Sequence, residues 1–286
     1  SWEKGESFLQ KSAVELALKK ADIDASSINY IFAGDLLNQC ISSTFGLRAL
    51  GIPFLGQYGA CSTMAQTISM ASVFADSFAA DRCVAVTSSH FCSAERQFRF
   101  PLEYGGQRTP TAQWTVTGSG AAIIQRGGSG VKIKRITIGR ITDMGIKDAN
   151  NMGAAMAPAA AQTILDYFSD TKEKPKNFDL ILTGDLGMVG KTLLLELLEK
   201  EGLQISRQHN DCGLMIFDIN SQDVHAGGSG CGCSGSVFCS YVLQKMKNSE
   251  LKRVLFIATG ALMSPTSAQQ GESIPGVAHL IELESE

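Results

Sequence analysis

The sequence predicts an α/β protein built from two related halves, and two observations support this prediction. Strand-like apolar runs alternate with helix-like runs along the 286 residues, which is typical of a mostly parallel sheet covered by helices. A motif also repeats, because residues 31–36 (IFAGDL) match residues 181–186 (ILTGDL). Since the elements around each copy follow the same order, we expect a duplicated fold with a pseudo-twofold axis, divided into halves 1–145 and 146–286.

The first half is expected to contain three helices and several short strands. In the first helix, Leu9, Ala13 and Leu16 recur at helical spacing and form one apolar stripe. The second helix is expected to stop at Gly51. In chain order the predicted elements are helix 6–22, strand 29–33, helix 36–50, extended residues 53–55, helix 61–80, strand 83–87, a polar stretch 88–116, and strands 120–124 and 131–141, which close this half.

The second half is expected to repeat this order of elements. A helix rich in small residues again stands before a buried strand, as it does in the first half. The predicted elements are helix 157–168, strand 178–182, helix 191–201, strand 212–217, helix 233–247, strand 254–258 and a final strand 277–283.

Composition and charge exclude several classes of protein. Hydrophobic residues make up 44% of the chain, which is ample for a large buried core. The net charge is −3 and no run of Lys or Arg suggests a nucleic-acid partner. No apolar stretch reaches the ~18–20 residues of a membrane span. The eight cysteines lack paired metal spacing, so we expect reduced thiols, no metal and no cofactor.

The most informative local sequence is Gly59-Ala60-Cys61, where a cysteine follows two small residues and opens a predicted helix. Free N–H groups at a helix start lower the pKa of a thiol or bind an anion. A second Gly-rich segment, residues 227–235, precedes the matching helix. Two related halves would bring both helix starts to one cavity, which we expect to be electropositive. Alternatively, Cys61 is a small buried residue that lets helices pack closely.

These features resemble the thiolase and ketoacyl-synthase superfamily over essentially the full length. The resemblance implies a five-layered α-β-α-β-α fold with Cys61 at the position of the family's nucleophile. The family's Gly-His-Pro-x-Gly-Ala-Ser-Gly signature falls on residues 228–235, where Ser229 stands at the His position. Ala258 stands at the position of the second Cys, and residues 117–121 lack the Asp of the family's Gly-Asp-Gly-Ala turn. Because a Claisen step needs a base, these replacements favour binding over turnover.

A closer resemblance is to one branch, the stage V sporulation protein AD family. The runs that carry it are residues 33–39, 59–63, 88–90, 93–99, 103–107, 115–121, 156–161 and 211–216. This resemblance implies a protein that binds dipicolinic acid, as the free acid or as its calcium chelate, during uptake into the developing spore. It also implies a homodimer that associates with other proteins of a membrane complex, on the cytoplasmic side of the spore inner membrane and without spanning it.

Dipicolinic acid is a flat pyridine with two carboxylates, so its site needs guanidinium donors and flat apolar walls. We expect His90 and either Arg96 or Arg99 to meet one carboxylate, and a helix start to hold the other. The polar stretch that supplies these residues also contains Phe98, Phe100, Tyr104 and Arg108. In the alternative interpretation, the arginines pair with Glu95 and Glu103 to brace the loop, or contact a second subunit.

The expected ligand site is completed by Cys61 and Ser229 at its floor and by His279 at its rim, while His209 is expected at the surface. A second function stays open, in which Cys61 accepts an acyl group from a thioester and the chain is an acyltransferase. A third is a scaffold with a vestigial pocket. The run from Gly184 to Thr192 resembles a phosphate-binding loop, but Asp185 stands where that pattern requires Gly.

Overall fold

The computed structural model describes residues 1–99 and 107–285. Its strands are β1 Tyr30–Gly34, β2 Phe54–Gly56, β3 Arg82–Ser89, β4 Trp114–Thr115, β5 Gly118–Gln125, β6 Lys132–Ile138, β7 Leu180–Thr183, β8 His209–Asp211, β9 Gly228–Ser229, β10 Arg253–Ala261 and β11 Gly276–Glu284. Its α-helices are α1 Trp2–Ala21, α2 Ile41–Leu47, α3 Thr63–Asp76, α4 Phe91–Phe98, α5 Met152–Thr171, α6 Gly187–Lys200, α7 Cys212–Met215, α8 Cys231–Val237, α9 Leu243–Lys247 and α10 Pro265–Gln269.

Two mixed sheets share one topology. The first has the order β2-β1-β3-β5, and the second contains the same order as β8-β7-β10-β11. In each, three strands are parallel and the last is antiparallel to its neighbour. The two sheets therefore show the duplication that the two copies of the motif predicted.

The second sheet has one additional strand, β6, at its edge. This strand pairs with β11, from His279 opposite Ile138 to Glu284 opposite Lys132. The expectation that strand 131–141 closes the first half is therefore wrong. By its hydrogen bonds β6 belongs to the second sheet, although it lies within residues 1–145.

The helices form three layers around the two sheets. Val14 and Leu18 of α1 pack on the outer face of the first sheet, and Ile164 of α5 packs on the outer face of the second. Between the sheets lies the largest apolar cluster, to which α3 contributes Met64 and the turn after α8 contributes Phe238. The result is the expected five-layered α-β-α-β-α arrangement.

Glycines allow the central helical layer to pack closely against both sheets. A Cβ built on Gly120 of β5 would lie 2.1 Å from the carbonyl oxygen of Gly235 on α8. A Cβ on Gly260 of β10 would lie 2.3 Å from the carbonyl oxygen of Gly59. Since real Cβ contacts are longer, both positions require Gly, and the second contact holds the Cys61 turn against the second sheet.

Several elements differ from the sequence prediction. The predicted strand 212–217 is wrong, because the Asp211 side chain accepts a hydrogen bond from the Gly213 N–H and starts helix α7 instead. Helix α4 lies inside the predicted polar stretch 88–116, with the ring of His90 accepting from the Cys92 N–H at its start. The predicted helix 36–50 is shortened to α2, because Cys40 adopts a left-handed conformation with φ 51°.

Candidate functional site

Cys61 lies in a 3₁₀ turn, Ala60–Ser62, that leads into α3. Ser62 closes this turn, because its N–H donates to the Gly59 carbonyl at 3.0 Å and its hydroxyl donates to the same oxygen at 2.7 Å. The turn faces Ser229, which β9 holds in place by pairing with β4. The Ser229 hydroxyl is close enough to the Cys61 thiol to lower its pKa, so the structure brings these two residues together.

The principal partner of this pair is Asp185, a fully buried carboxyl group. It accepts hydrogen bonds from the Gly230 N–H at 2.7 Å and the Thr259 hydroxyl at 2.9 Å. The Ser229 hydroxyl lies 3.3 Å away, and the Cys61 thiol is close enough to affect the pKa of this carboxyl group. A carboxyl group therefore stands where the sequence predicted an electropositive hollow, and for the surroundings of the thiol that prediction was wrong.

This environment keeps the thiol protonated. Burial raises the pKa of the Cys61 thiol well above its ordinary value, and the Asp185 carboxylate raises it further. Burial also raises the pKa of Asp185 itself, against the hydrogen bonds that favour its charged form. Since the nucleophile of acyl transfer is a thiolate, this Cys61 is poorly prepared for that chemistry.

The pseudo-twofold axis gives Cys61 a counterpart in Cys231, which opens α8. The Cys231 thiol donates to the Ser88 carbonyl at 3.0 Å, and burial raises its pKa well above the ordinary value. Two buried acids of the first half, Glu6 and Asp35, raise it further. Acids of the first half thus raise the pKa of Cys231, as Asp185 of the second half raises that of Cys61.

No imidazole among the described residues is a partner of the Cys61 thiol. His209 is buried, not at the surface as expected, and its ring lies 3.0 Å from the Thr183 hydroxyl. Burial lowers the pKa of His209 to about 3, so it is neutral. His279 faces β10 from β11 in register with Ala258, and its Nδ1 accepts from the Gly139 N–H at 3.2 Å.

The predicted ligand residues of α4 lie on different sides of this helix. Arg96 pairs with Glu3 and stacks over the Trp2 ring, 5.2 Å from its centroid. His90 caps the helix, and burial lowers its pKa. Arg99 instead pairs with Glu95, its Nη1 lying 2.6 Å from Oε1. The alternative interpretation, pairing of an arginine with Glu95, is thus present for Arg99.

A residue outside the predicted site set, Arg108, joins that pair. Its Nη2 lies 3.2 Å from Oε1 of Glu95 and 2.7 Å from the carbonyl oxygen of Gln113. The Gln113 side chain donates to the carbonyl oxygens of Asp185 and Gly228 at 2.7 and 2.8 Å. Gln113 therefore links the arginines to the Cys61 site. Phe100 and Tyr104 lie outside the described residues.

Residues 1–99 and 107–285 contain no group of three His, Cys, Asp or Glu side chains that could hold a metal ion. Within the same ranges, no helix has the length and apolar character needed to cross a membrane.

Several solved structures share this architecture. The 3-oxoacyl-[acyl-carrier-protein] synthase III of Aquifex aeolicus matches with a TM-score of 0.63 and 12% identity, over 97% of this chain and 84% of that one. A Xanthomonas campestris OleA variant bound with cerulenin matches with a TM-score of 0.65 and 13% identity, over 98% of this chain and 80% of that one. At such low identity these matches show the fold alone, which is thiolase-like.

Sequence comparison is more specific. Stage V sporulation protein AD of Bacillus subtilis is 46% identical over 284 residues, which cover 99% of this chain and 84% of that protein. The model of the family described as stage V sporulation protein AD matches residues 1–284. The chain therefore belongs to the stage V sporulation protein AD family.

Proposed function

We propose that this sporulation protein binds dipicolinic acid without turning it over and acts in the uptake of the acid into the developing spore. The observation that supports binding over turnover is the Asp185 carboxyl near the Cys61 thiol, which raises the pKa of that thiol. Acyl transfer needs a thiolate, a base and donors for an oxyanion. At this thiol the neighbouring ionisable group is an acid that disfavours both the thiolate and any developing negative charge.

Calorimetry with the purified protein tests this proposal directly. Titration of dipicolinate, with and without equimolar calcium, is expected to give saturable binding below about 1 mM, an affinity of roughly −4 kcal/mol or better. Benzene, which lacks carboxylates, serves as the control ligand. Absence of binding at millimolar dipicolinate in both titrations contradicts the proposal.

Incubation with short acyl-CoA thioesters tests the alternative function, in which Cys61 accepts an acyl group. We expect intact-protein mass spectrometry to find no acyl adduct that is lost in Cys61→Ala. A stoichiometric adduct at Cys61 would establish the acyltransferase and remove the main support for a purely binding role.

We further propose that the protein is a homodimer joined through the edge strand β2. This strand ends the first sheet, and its residues Phe54 and Leu55 are 38% and 41% exposed. An exposed apolar edge with unpaired N–H and C=O groups favours pairing with another strand. Sedimentation is expected to give a dimer for the natural chain and a monomer for Leu55→Asp. A dimer that survives this substitution would contradict the role of β2.

For its location, we propose peripheral association with a membrane complex at the spore inner membrane. Fractionation of sporulating cells is expected to recover the protein with membranes and to release it by an alkaline wash. Recovery in the soluble fraction throughout would contradict this assignment.

A further inference from the structure

Helix α1 turns polar side chains toward the first sheet and apolar side chains toward solvent. Its buried residues are Glu6, Ser7, Gln10, Val14 and Leu18. Phe8 and Leu16 are instead 71% and 51% exposed. The apolar stripe of a helix normally faces the core, yet none of the three residues in the stripe predicted for α1, Leu9, Ala13 and Leu16, is fully buried. The first sheet therefore does not cover the apolar side of α1, which remains accessible to a partner.

Lysines stand at both ends of this exposed apolar surface. The residues that recur every four positions along the outer side of α1, and so form one stripe, are Lys4, Phe8, Ser12, Leu16 and Lys20. All of them are exposed except Ser12, which is half-buried. At the rise of an α-helix, Lys4 and Lys20 are about 24 Å apart along the axis. Phe8 and Leu16 therefore lie between two widely separated positive charges.

Helix α2 extends this surface. It packs closely beside α1, because a Cβ built on Gly46 of α2 would collide with the carbonyl oxygen of Ser7. Phe45, the neighbour of this contact, is 52% exposed, and the Arg48 guanidinium lies over its ring at 4.7 Å from the centroid. The outer surface of α1 and α2 with Arg48, which we call the α1–α2 face, therefore presents a second aromatic ring accompanied by a cation.

The equivalent helices of the second half, α5 and α6, have a different outer surface, and all four helices lie within the described ranges. Helices α5 and α6 expose one large apolar side chain, Met188, whereas α1 and α2 expose Trp2, Phe8, Leu16, Ile41 and Phe45. Helices α1 and α2 contain four Lys and three Glu, a net charge of +1, and α5 and α6 contain two Lys, two Asp and two Glu, a net charge of −2. The shared fold therefore does not require the apolar and basic character of the α1–α2 face.

Exposed apolar side chains flanked by lysines are suited to the surface of an anionic membrane. Aromatic and aliphatic side chains enter the boundary between headgroups and acyl chains, while lysine ammonium groups contact the lipid phosphates. Each Lys or Arg close to an anionic leaflet strengthens such binding. Phe8 and Leu16 project from the convex outer side of a helix, which fits a flat lipid surface better than a partner helix, since a partner helix normally lies in a groove.

We propose that the α1–α2 face docks this protein directly on an anionic membrane surface. Phe8 and Leu16 enter the boundary between headgroups and acyl chains, and Phe45 adds a second aromatic contact. Lys4 and Lys20 contact lipid phosphates at the two ends of α1. This inference rests on the proposed peripheral location and specifies it, because it assigns the membrane contact to lipid and not to another protein of the complex.

Sedimentation of the full chain with lipid vesicles tests the inference. One set of vesicles is pure phosphatidylcholine, and the other contains equal amounts of phosphatidylcholine and phosphatidylglycerol. We expect binding to the anionic vesicles alone, and weaker binding as NaCl rises from about 0.05 M to about 0.5 M, because salt screens the lysines. The double variant Phe8→Ser/Leu16→Ser is expected to bind the anionic vesicles about tenfold more weakly or worse, since two apolar contacts are lost. Lys4→Glu/Lys20→Glu is expected to weaken binding as well.

Met188→Ser is the matched control, because Met188 is an apolar residue, 49% exposed, on the helix equivalent to α2. It is expected to leave vesicle binding unchanged. All substituted side chains are exposed, so the variants are expected to fold, and circular dichroism verifies this at the temperature of the measurement. Equal binding by the natural chain and Phe8→Ser/Leu16→Ser, or equal binding to neutral and anionic vesicles, contradicts the inference.

Fractionation of sporulating cells, combined with the vesicle result, separates the two proposals. If the natural chain is recovered with cell membranes but does not bind anionic vesicles, the α1–α2 face is not a lipid contact, while the proposed location stands. If the chain binds anionic vesicles in a manner that depends on Phe8 and Leu16 but is soluble in cells throughout, the face binds lipid and the proposed location is wrong. If the chain associates with neither membrane, both proposals are overturned.

Discussion

Asp35 and Asp185 occupy equivalent positions in the two halves, and their surroundings differ. Asp35 accepts hydrogen bonds from the Leu37 N–H and from the N–H and hydroxyl of Ser43, all within its own half. Asp185 accepts instead from Gly230 and Thr259, and it also raises the pKa of the Cys61 thiol, which comes from the other half. One motif thus makes a local turn in the first half and a contact between halves in the second.

The difference shows how one copy of a repeated residue can influence a reactive group while the other copy only stabilises the fold. Both aspartates are fully buried, and burial raises the pKa of each. For Asp35 the compensating donors are backbone and serine groups, so its role is to hold β1 to α2. For Asp185 one of the partners is a thiol, so its charge also controls the reactivity of Cys61.

The largest effect is expected from removal of either carboxyl group. Asp35→Ala and Asp185→Ala each leave at least two buried donors without an acceptor, so we expect each to lower the free energy of unfolding by about 3 kcal/mol. Urea denaturation measures this, with the exposed Asp223→Ala as the control. A cost for Asp185→Ala far below that for Asp35→Ala would break the structural equivalence of the two positions.

The next effect is a pH dependence of stability. It arises from a buried acid near each aspartate, which is Glu6 for Asp35 and Asp211 for Asp185. Burial raises the pKa of Glu6 from 4.5 to about 7, so between these values the folded protein holds a proton that the unfolded chain has released. This contribution is complete below about pH 4.5 and is lost as the pH rises through 7, by about 3 kcal/mol in total.

Urea denaturation of the natural chain and of Glu6→Gln at pH 5 and pH 8 measures this loss. The variant is expected to lose less stability between the two values, while Glu15→Gln, on an exposed part of the same helix, follows the natural chain. In the second half, burial raises the pKa of Asp211 to about 7, so Asp211→Asn is expected to behave like Glu6→Gln. Identical pH profiles for the natural chain and both variants would contradict the raised pKa values.

The smallest effect distinguishes the two aspartates most sharply. Asp185→Asn removes a negative charge beside the Cys61 thiol, so the thiolate fraction and the rate of alkylation by iodoacetamide should rise roughly tenfold at a fixed pH. Asp35→Asn is expected to leave the rate at Cys61 unchanged. Peptide mass spectrometry separates Cys61 from the other cysteines, and equal rates in both variants would contradict the direct contact.

Much of the fold was predictable because the signals are local. The alternation of apolar runs predicted strands such as β3, β10 and β11 to within a few residues, and the repeated Gly-Asp-Leu motif predicted the duplication. The prediction failed where a side chain overrides the apolar pattern, as when Asp211 caps α7 inside a run predicted to be a strand. It also failed for β6, because its partner strand β11 lies far along the chain and no local pattern shows which sheet β6 will join.

The site was predictable in part. The sequence predicted that Cys61 and Ser229 lie near each other, and it indicated that the family's His position is replaced. It identified Asp185 only as part of a repeat, since nothing local shows that this carboxyl faces a cysteine more than a hundred positions away. The alternative interpretation included arginines paired with Glu95, and Arg99 and Arg108 both contact that carboxylate.

The sequence by itself determined the architecture and the absence of an imidazole at the position of the family's base, because both follow from residue type and order along the chain. Only the tertiary structure decided which charges meet. A thiol beside a buried acid from the other half depends on a contact between distant segments, and in a low-dielectric interior such a contact sets the protonation of both groups.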